Sequence, residues 1–333
     1  MKRLNYRLVL AISAVLLALI VLGALCIGRY SISAAEVLRY LFLNRKENEM
    51  ITTVMWSVRI PRIIMALLVG AGLSVSGVSL QAMFGNPLVN SHILGVSYSA
   101  GFGAALGILL FSHFAYVEVM ALIFGFSGMA LTYFLSQKKG NSGTLMLVLS
   151  GVVVGAVFEA LTSFIKYVAD PEEKLPAITY WLMGSLSGSS MTDVYRALPM
   201  IGIAVSVLWL LRWRLNVISL SEDEAASLGI NLKHTRLVII CATTVIAAST
   251  VAMCGVISFV GLAVPHLTRM IVGNDHKKLL PLSIINGAGY MVIIDTAARS
   301  VTAAEIPLSI LTALIGAPIF ALMLRRTGGA WND

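Results

Sequence analysis

Charge is scarce in this 333-residue chain: Asp, Glu, Lys and Arg make up 12% of it. Soluble domains carry about 25% charged residues and roughly 45–50% apolar ones, whereas here the apolar set reaches 58%. A water-soluble fold of this size cannot cover its surface with so few charges. That excludes a cytosolic enzyme, a disordered regulator and a fibrous repeat. Cysteine is scarce too. Cys26, Cys241 and Cys254 all fall inside apolar runs, without metal-ligand spacing or the pattern of an oxidised framework. They read as small apolar residues. No Gly-Lys pair occurs, so there is no Walker A loop, and there is no His-Glu-x-x-His; His266 and His276 are too far apart for a local metal clip. The chain lacks an evident centre for hydrolysis or ATP binding. Energy for uphill movement would come from a gradient or from another subunit.

What is present is a series of long apolar runs, with a mean hydropathy of +0.88. Outer-membrane barrels alternate apolar and polar residues; these runs do not. The fold class is therefore an all-α membrane protein. Leu8–Gly28 carries no charge and is 21 residues long. This exceeds the roughly 7–15 residues of a signal-peptide core, and no small-x-small cleavage site follows. It reads as a retained first span. Further spans are expected near 63–83, 93–111, 114–135, 144–165 and 192–211. The 32 residues from Leu237 to Thr268 contain no Asp, Glu, Lys or Arg. That is more than one span, and Gly255, Gly261 and Pro265 predict a long helix, a break and a short helix. Spans near 280–297 and 307–324 bring the number to ten. Between them, 33–41 has the spacing of a short amphipathic helix. The stretches 29–62 and 167–190 read as polar, the second as irregular.

The net charge is +8. With both termini placed in the cytoplasm, fourteen of the 24 Lys and Arg fall inside, and the inside totals +9 against −1 elsewhere. The direction obeys the positive-inside rule, so the charge reads as topology and not as nucleic-acid binding. Gly103/Gly107 and Gly151/Gly155 have the spacing that lets helices approach closely.

Ionisable residues inside spans are costly and carry a functional presumption. Glu118, Glu159 and Asp295 could form the proton relay of a proton-coupled secondary transporter, or each could lie near the outer interface or face a watery cavity; Glu118 and Asp295 sit near span ends. Arg59 and Arg62 flank Ile60-Pro61 before the second span, and Arg299 ends the ninth. Their guanidinium groups suit bidentate contact with carboxylates of a docking partner, or interfacial snorkelling. Between spans six and seven, Ser221 and Glu224 have the spacing of a capping box. Glu222 and Asp223 suit the positive end of a helix dipole. Ala225, Ala226 and Leu228 form a small apolar face, and Gly229 is a stop signal. This predicts a short helix that packs on something, because a short helix alone in water is marginal.

Taken in order, several blocks resemble one family. They run from Arg59, Pro61 and Arg62 through Gly70, Gly72 and Gln81 to Asn86-Pro87-Leu88 and Leu94-Gly95-Val96-Ser97. They continue with Glu224-Ala225-Ala226, Leu228-Gly229-Ile230, Gly255, Phe259-Val260-Gly261-Leu262, Pro265-His266 and Arg269. Asp295, Ala298-Arg299, Glu305-Ile306-Pro307 and Gly316-Ala317-Pro318 complete them. The chain resembles the FecCD-type permeases of ABC importers for iron chelates, cobalamin and haem; molybdate is carried by close relatives. The resemblance implies one transmembrane permease domain over 1–333 with ten helices, an inverted repeat and a type II importer fold. It implies no cofactor in this chain, since ATP and Mg belong to the partner ATPase. Implied partners are a second permease copy, as a homodimer or with a sister chain, two ABC ATPase subunits, an extracytoplasmic substrate-binding protein and the lipid bilayer. The implied location is a bacterial or archaeal plasma membrane. By the same resemblance Arg59, Arg62 and Arg299 match residues that dock the binding protein. Residues 221–229, within a cytoplasmic segment 212–236, match the helix that couples to the ATPase. Asn86, Leu88 and Thr144 match the cytoplasmic gate, although Leu145 departs from the small polar residue some members carry beside Thr144. The function implied is ATP-driven import of an iron–siderophore or similar chelate by alternating access, the chain itself catalysing nothing.

Overall fold

The computed structural model describes residues 5–28, 30, 32–43, 49–111, 113–137, 144–220, 222–228, 231–302 and 304–327. It is helical, with no strand among the described residues. α1 covers Tyr6–Cys26, capped by Asn5, whose side chain accepts from the Arg7 N–H at 3.1 Å. α2 covers Ala34–Leu43. Its start is a reciprocal box in which the Ser33 N–H donates to the Glu36 carboxylate (2.8 Å) and the Glu36 N–H to Ser33 Oγ (3.3 Å). These hydrogen bonds, the one through the Ser33 side chain foremost, hold the Glu36 carboxyl below its ordinary pKa.

The second apolar run begins earlier than its composition suggests. α3 (Glu49–Thr53) passes through a π-helical turn, Val54–Arg59, into α4 (Ile60–Phe84). The wide turn lies just ahead of Pro61, which has no N–H to continue the regular ladder. Arg59 and Arg62 thus sit within one continuous 36-residue helical segment and not on a loop. Then come α5 (Val96–Leu110), α6 (Phe114–Ser136) and α7 (Thr144–Val168). The stretch expected to be irregular contains α8, Lys174–Leu182. Asp170 organises it: its side chain accepts from the N–H groups of Glu172 and Glu173, at 3.0 and 2.8 Å. α9 (Met191–Leu210) starts with a full Ser190/Asp193 capping box. α10 (Arg212–Ile218) and α11 (Glu222–Ser227) follow, then α12 (Leu232–Cys254), α13 (Val260–Val272), α14 (His276–Ser300) and α15 (Leu308–Thr327). The predicted break falls at 255–259. Gly255 has φ +70° and Phe259, with φ +63°, is the one non-glycine residue of positive φ among the described residues. A side chain in that region costs about 1–3 kcal/mol, so surrounding packing holds it there.

Seven helices are long and apolar enough to cross a membrane, and three shorter apolar helices, Val96–Leu110, Val260–Val272 and Leu308–Ala321, accompany them. These match the ten expected runs. Burial separates the helices into two groups. The apolar windows of α4, α12 and α14 are 61–78% buried within the chain; those of α1, α6, α7 and α9 are 17–33% buried. The first group is the core and the second a shell whose apolar surface needs lipid or protein against it.

Glycine sets the closeness of the core. A Cβ on Gly70 would lie 2.2 Å from the Gly287 carbonyl oxygen of α14, and one on Gly77 2.0 Å from the Gly261 carbonyl oxygen of α13. No side chain fits at either crossing. The two spaced pairs serve the same end. A Cβ on Gly103 would meet the Met120 carbonyl oxygen at 2.3 Å, and one on Gly151 the Ile93 carbonyl oxygen at 2.2 Å.

Candidate functional site: the two ends of the bundle

One end gathers five charged side chains. Arg62, at the start of α4, is 5% exposed, and its guanidinium is shared between two carboxylates. Nε donates to both oxygens of Asp295 (2.9 and 3.0 Å), while Nη1 and Nη2 donate to the two oxygens of Glu305 (2.9 and 3.0 Å). Arg–carboxylate forks of this kind combine charge with fixed geometry. Asp295 lies on α14 and Glu305 on the connection to α15, so Arg62 ties three segments together. Arg299, one turn after Asp295, approaches it at 3.8 Å.

Arg59 and Arg299 do something else. The final carbonyls of a helix have no partner within it. At the end of α1, Ala24 accepts from Arg299, while Leu25 accepts from Arg59 Nη1 and Cys26 from the same nitrogen at 3.2 Å. Arg59 Nη2 reaches the Tyr30 carbonyl. Two cations at a helix C-terminus also meet the negative end of its dipole. Gly28 leaves the space: a Cβ there would lie 2.8 Å from Arg59 Nη2. With Arg59 3% and Arg299 8% exposed, all three arginines are turned inward.

Asp295, expected near water at a span end, is instead 1% exposed and paired. Glu118 is also paired, with Arg196 at 3.0 Å. The structure does not bring Glu118, Glu159 and Asp295 into one hydrogen-bonded relay.

At the other end, Gly85 (φ +59°) stops α4 and Gly95 (φ +77°) precedes α5. Between them the Asn86 side chain accepts from the Leu88 N–H at 2.9 Å, and the Asn90 side chain from the His92 N–H at 3.2 Å. These turns present Leu88, 42% exposed, at the surface. Thr144 is the first residue of α7. The loop also borders a small cavity of about 10 Å³ lined by Ser76, Asn90, His92, Phe259 and Gly261.

Beside this end lies the predicted short helix, observed as α11. Ala225 is buried and Leu228 is 53% exposed. Ser221 and Gly229, the expected cap and stop, lie outside the described residues. Sequence reasoning missed α10, whose Leu215, Val217 and Ile218 are buried. It also missed Asn216, which donates to Asp275 Oδ1 (2.9 Å) and accepts from the His276 N–H (2.8 Å). Burial alone would raise the Asp275 carboxyl; the Asn216 amide, the Lys277 N–H and the charges of Lys278 and Lys277 outweigh it and hold the group below its ordinary pKa. A lone Asn in a polar stretch offers no periodicity by which to find it.

A ten-run helical bundle with a glycine-crossed core, a charged cluster at one end and short helices at the other is the architecture of a polytopic membrane protein. The chain belongs to the FecCD transport family, whose pattern it matches over residues 15–326. It is 42% identical to the molybdate import system permease protein of Haemophilus influenzae over 320 residues, 95% of this chain and 94% of the relative. It is 41% identical to the cobalamin import system permease protein of Halobacterium salinarum over 270 residues, 81% of this chain and 72% of that one. A solved metal-chelate type ABC transporter in an inward-facing conformation superposes with a TM-score of 0.86 at 40% identity, covering 96% of this chain and 99% of the other. The chain is thus a permease of the ABC importer class.

Proposed function

We propose that this permease carries a metal chelate, foremost an iron–siderophore or similar ferric chelate, into the cytoplasm by alternating access. The observation that supports this cargo class is the likeness to the metal-chelate type transporter across 96% of the chain. Molybdate, cobalamin and haem, each named for or carried by relatives, are the competing cargoes. In this reading the chain contributes the path and holds no ATP; two ATPase subunits supply the energy, and a second copy completes the path. Both termini lie in the cytoplasm of a plasma-membrane protein. The 212–236 segment, with α10 and α11, seats on the ATPase, and Asn86, Leu88 and Thr144 stand at the cytoplasmic gate.

The cluster of Arg59, Arg62 and Arg299 is the proposed contact for the extracytoplasmic binding protein. Because each guanidinium is engaged inside the chain, the partner's carboxylates compete with Asp295, Glu305 and the α1 carbonyls. Docking and loosening of this end are then one event.

The test is uptake into vesicles holding the complete transporter, with ferric chelate, molybdate and cobalamin supplied separately with their binding proteins. ATP-dependent accumulation of the ferric chelate is expected. Uptake that persists without ATP and collapses with a protonophore would overturn the ABC reading, and accumulation of molybdate or cobalamin alone would overturn the cargo.

A further inference from the structure

Among the acids within the membrane-spanning helices, Glu159 stands apart. Glu118 and Asp295 are ion-paired, but the carboxylate of Glu159 has no hydrogen bond or ion pair among the described residues. Its nearest base along the helix, Lys166, lies two turns away. Glu159 is exposed and sits fifteen residues from the start of α7 and nine from its end. At ~1.5 Å per residue these are about 22 and 13 Å. The 25-residue helix is about 37 Å long against a hydrocarbon core of about 30 Å. Centred in the bilayer, it places Glu159 about 10 Å inside the nearer boundary, and a glutamate side chain reaches only about 4 Å.

The adjoining face of α7 is occupied. Gly151, Val154, Gly155 and Phe158 are buried, Gly151 against the Ile93 carbonyl and Phe158 against Phe102 and Phe124. Glu159 lies on a separate edge with Val152, Ala156 and Ser163, all exposed and repeating at helical spacing. An unpaired carboxylate at this depth faces water, not lipid.

Resting on the permease reading above, we infer that Glu159 lines the translocation path at the junction with a second copy of this chain. Two such carboxylates, one per copy, form an acidic collar that passes neutral or cationic chelates and disfavours polyanions. Like charges repel across a narrow path, while a chelate carrying amine or ammonium donors is attracted. This sets the chain against free oxyanions as cargo, despite its 42% identity to a molybdate permease.

The experiment keeps Glu159 and places a reporter beside it. Ser163→Cys, with the three native cysteines changed to serine, is assembled with its ATPase and binding protein in vesicles and labelled with membrane-impermeant thiosulfonates of either charge. After normalising to free cysteine, the cationic reagent should react at least ten-fold faster than the anionic one, and Glu159→Gln should bring the ratio close to one. Equal rates with Glu159 in place would overturn the collar. Failure of both reagents would overturn its exposure to water. Ala156→Cys gives an independent reporter if the first variant assembles poorly. ATP-dependent uptake by the same vesicles reports on the permease reading separately, so a working importer with indifferent reporters condemns the collar alone.

Discussion

Replacing Arg62 with Met tests whether the arginine cluster is held together by its own carboxylates. The change removes all contacts to Asp295 and Glu305 while keeping an unbranched apolar stem. Asp295 is 1% exposed, so its charge has little access to water once Arg62 is gone. Removing one partner of a buried pair costs about 3–5 kcal/mol. Two features pull toward the lower end. The Glu305 side chain is 29% exposed and can rehydrate, and Arg299 stays 3.8 Å from Asp295. A loss of about 3 kcal/mol is therefore expected. With ~2.1 cal/mol/K per residue over 333 residues, the unfolding entropy is about 0.7 kcal/mol/K, and Tm falls by about 4 °C. Adding Asp295→Asn to Arg62→Met removes the stranded charge and should recover half or more of the loss, a coupling within the range measured for contacting residues. Thermal unfolding in detergent, followed by tryptophan fluorescence, reads the stabilities. Binding-protein affinity of the assembled transporter is measured alongside. If Arg62→Met leaves Tm unchanged yet abolishes docking, the internal pairing is incidental and the reasoning fails.

The core crossings make a sharper steric prediction. Gly77→Ala sets a methyl group against the backbone of α13, which cannot swing aside, and should cost at least the 1–3 kcal/mol of an overpacked core. Gly23→Ala on the outer helix α1 meets nothing within 4 Å and should be neutral or stabilising by up to about 1 kcal/mol. Equal Tm values for the two variants would refute the crossing geometry. Asn86→Ala removes the acceptor for the Leu88 N–H, worth about 0.5–1.5 kcal/mol, and should raise ATP-independent leak of chelate from loaded vesicles. A leak equal to that of the unaltered protein would argue against a gate at this loop.

The spans were legible in the sequence because lipid-facing and core-facing residues alike must be apolar, so runs such as Leu8–Gly28 announce themselves. The break in the long seventh run was legible as well, since Gly255 marks it. The ends of the bundle were harder to read. Arg59 looked like a residue on a polar loop because Glu49 and Arg59 dilute the apolar signal, yet the helix runs through both. That its guanidinium serves the final carbonyls of α1, thirty-odd residues earlier, depends on tertiary packing that no local pattern encodes. Asp295 and Glu305 were visible as charges but not as partners of Arg62, because the pairs span 233 and 243 residues. α8 and α10 escaped for a simpler reason: short helices held by Asp170 and Asn216 have too few turns for periodicity to stand out.

The placement of these side chains gives α14 a particular mechanical role. Its first residue, His276, is bonded to Asn216 of α10, and its last turns carry Asp295 and Arg299 of the charged cluster. Twenty-five residues at ~1.5 Å each make a rod of about 37 Å that touches both ends of the bundle. Gly287 locks its middle against Gly70 of α4, so bending there is opposed by backbone contact. If α10 moves with the ATPase as proposed above, a tilt there is expected to reach the cluster through this rod, and release of Arg62 from Asp295 to reach Asn216. Asn216→Ala cuts this rod from α10, removing bonds to Asp275 and to the His276 N–H. The expected result is an ATPase that still assembles and hydrolyses ATP while uptake per ATP falls several-fold. An unchanged ratio of chelate moved to ATP consumed would mean that the signal travels by α12 or α13 instead, and the rod is only a strut.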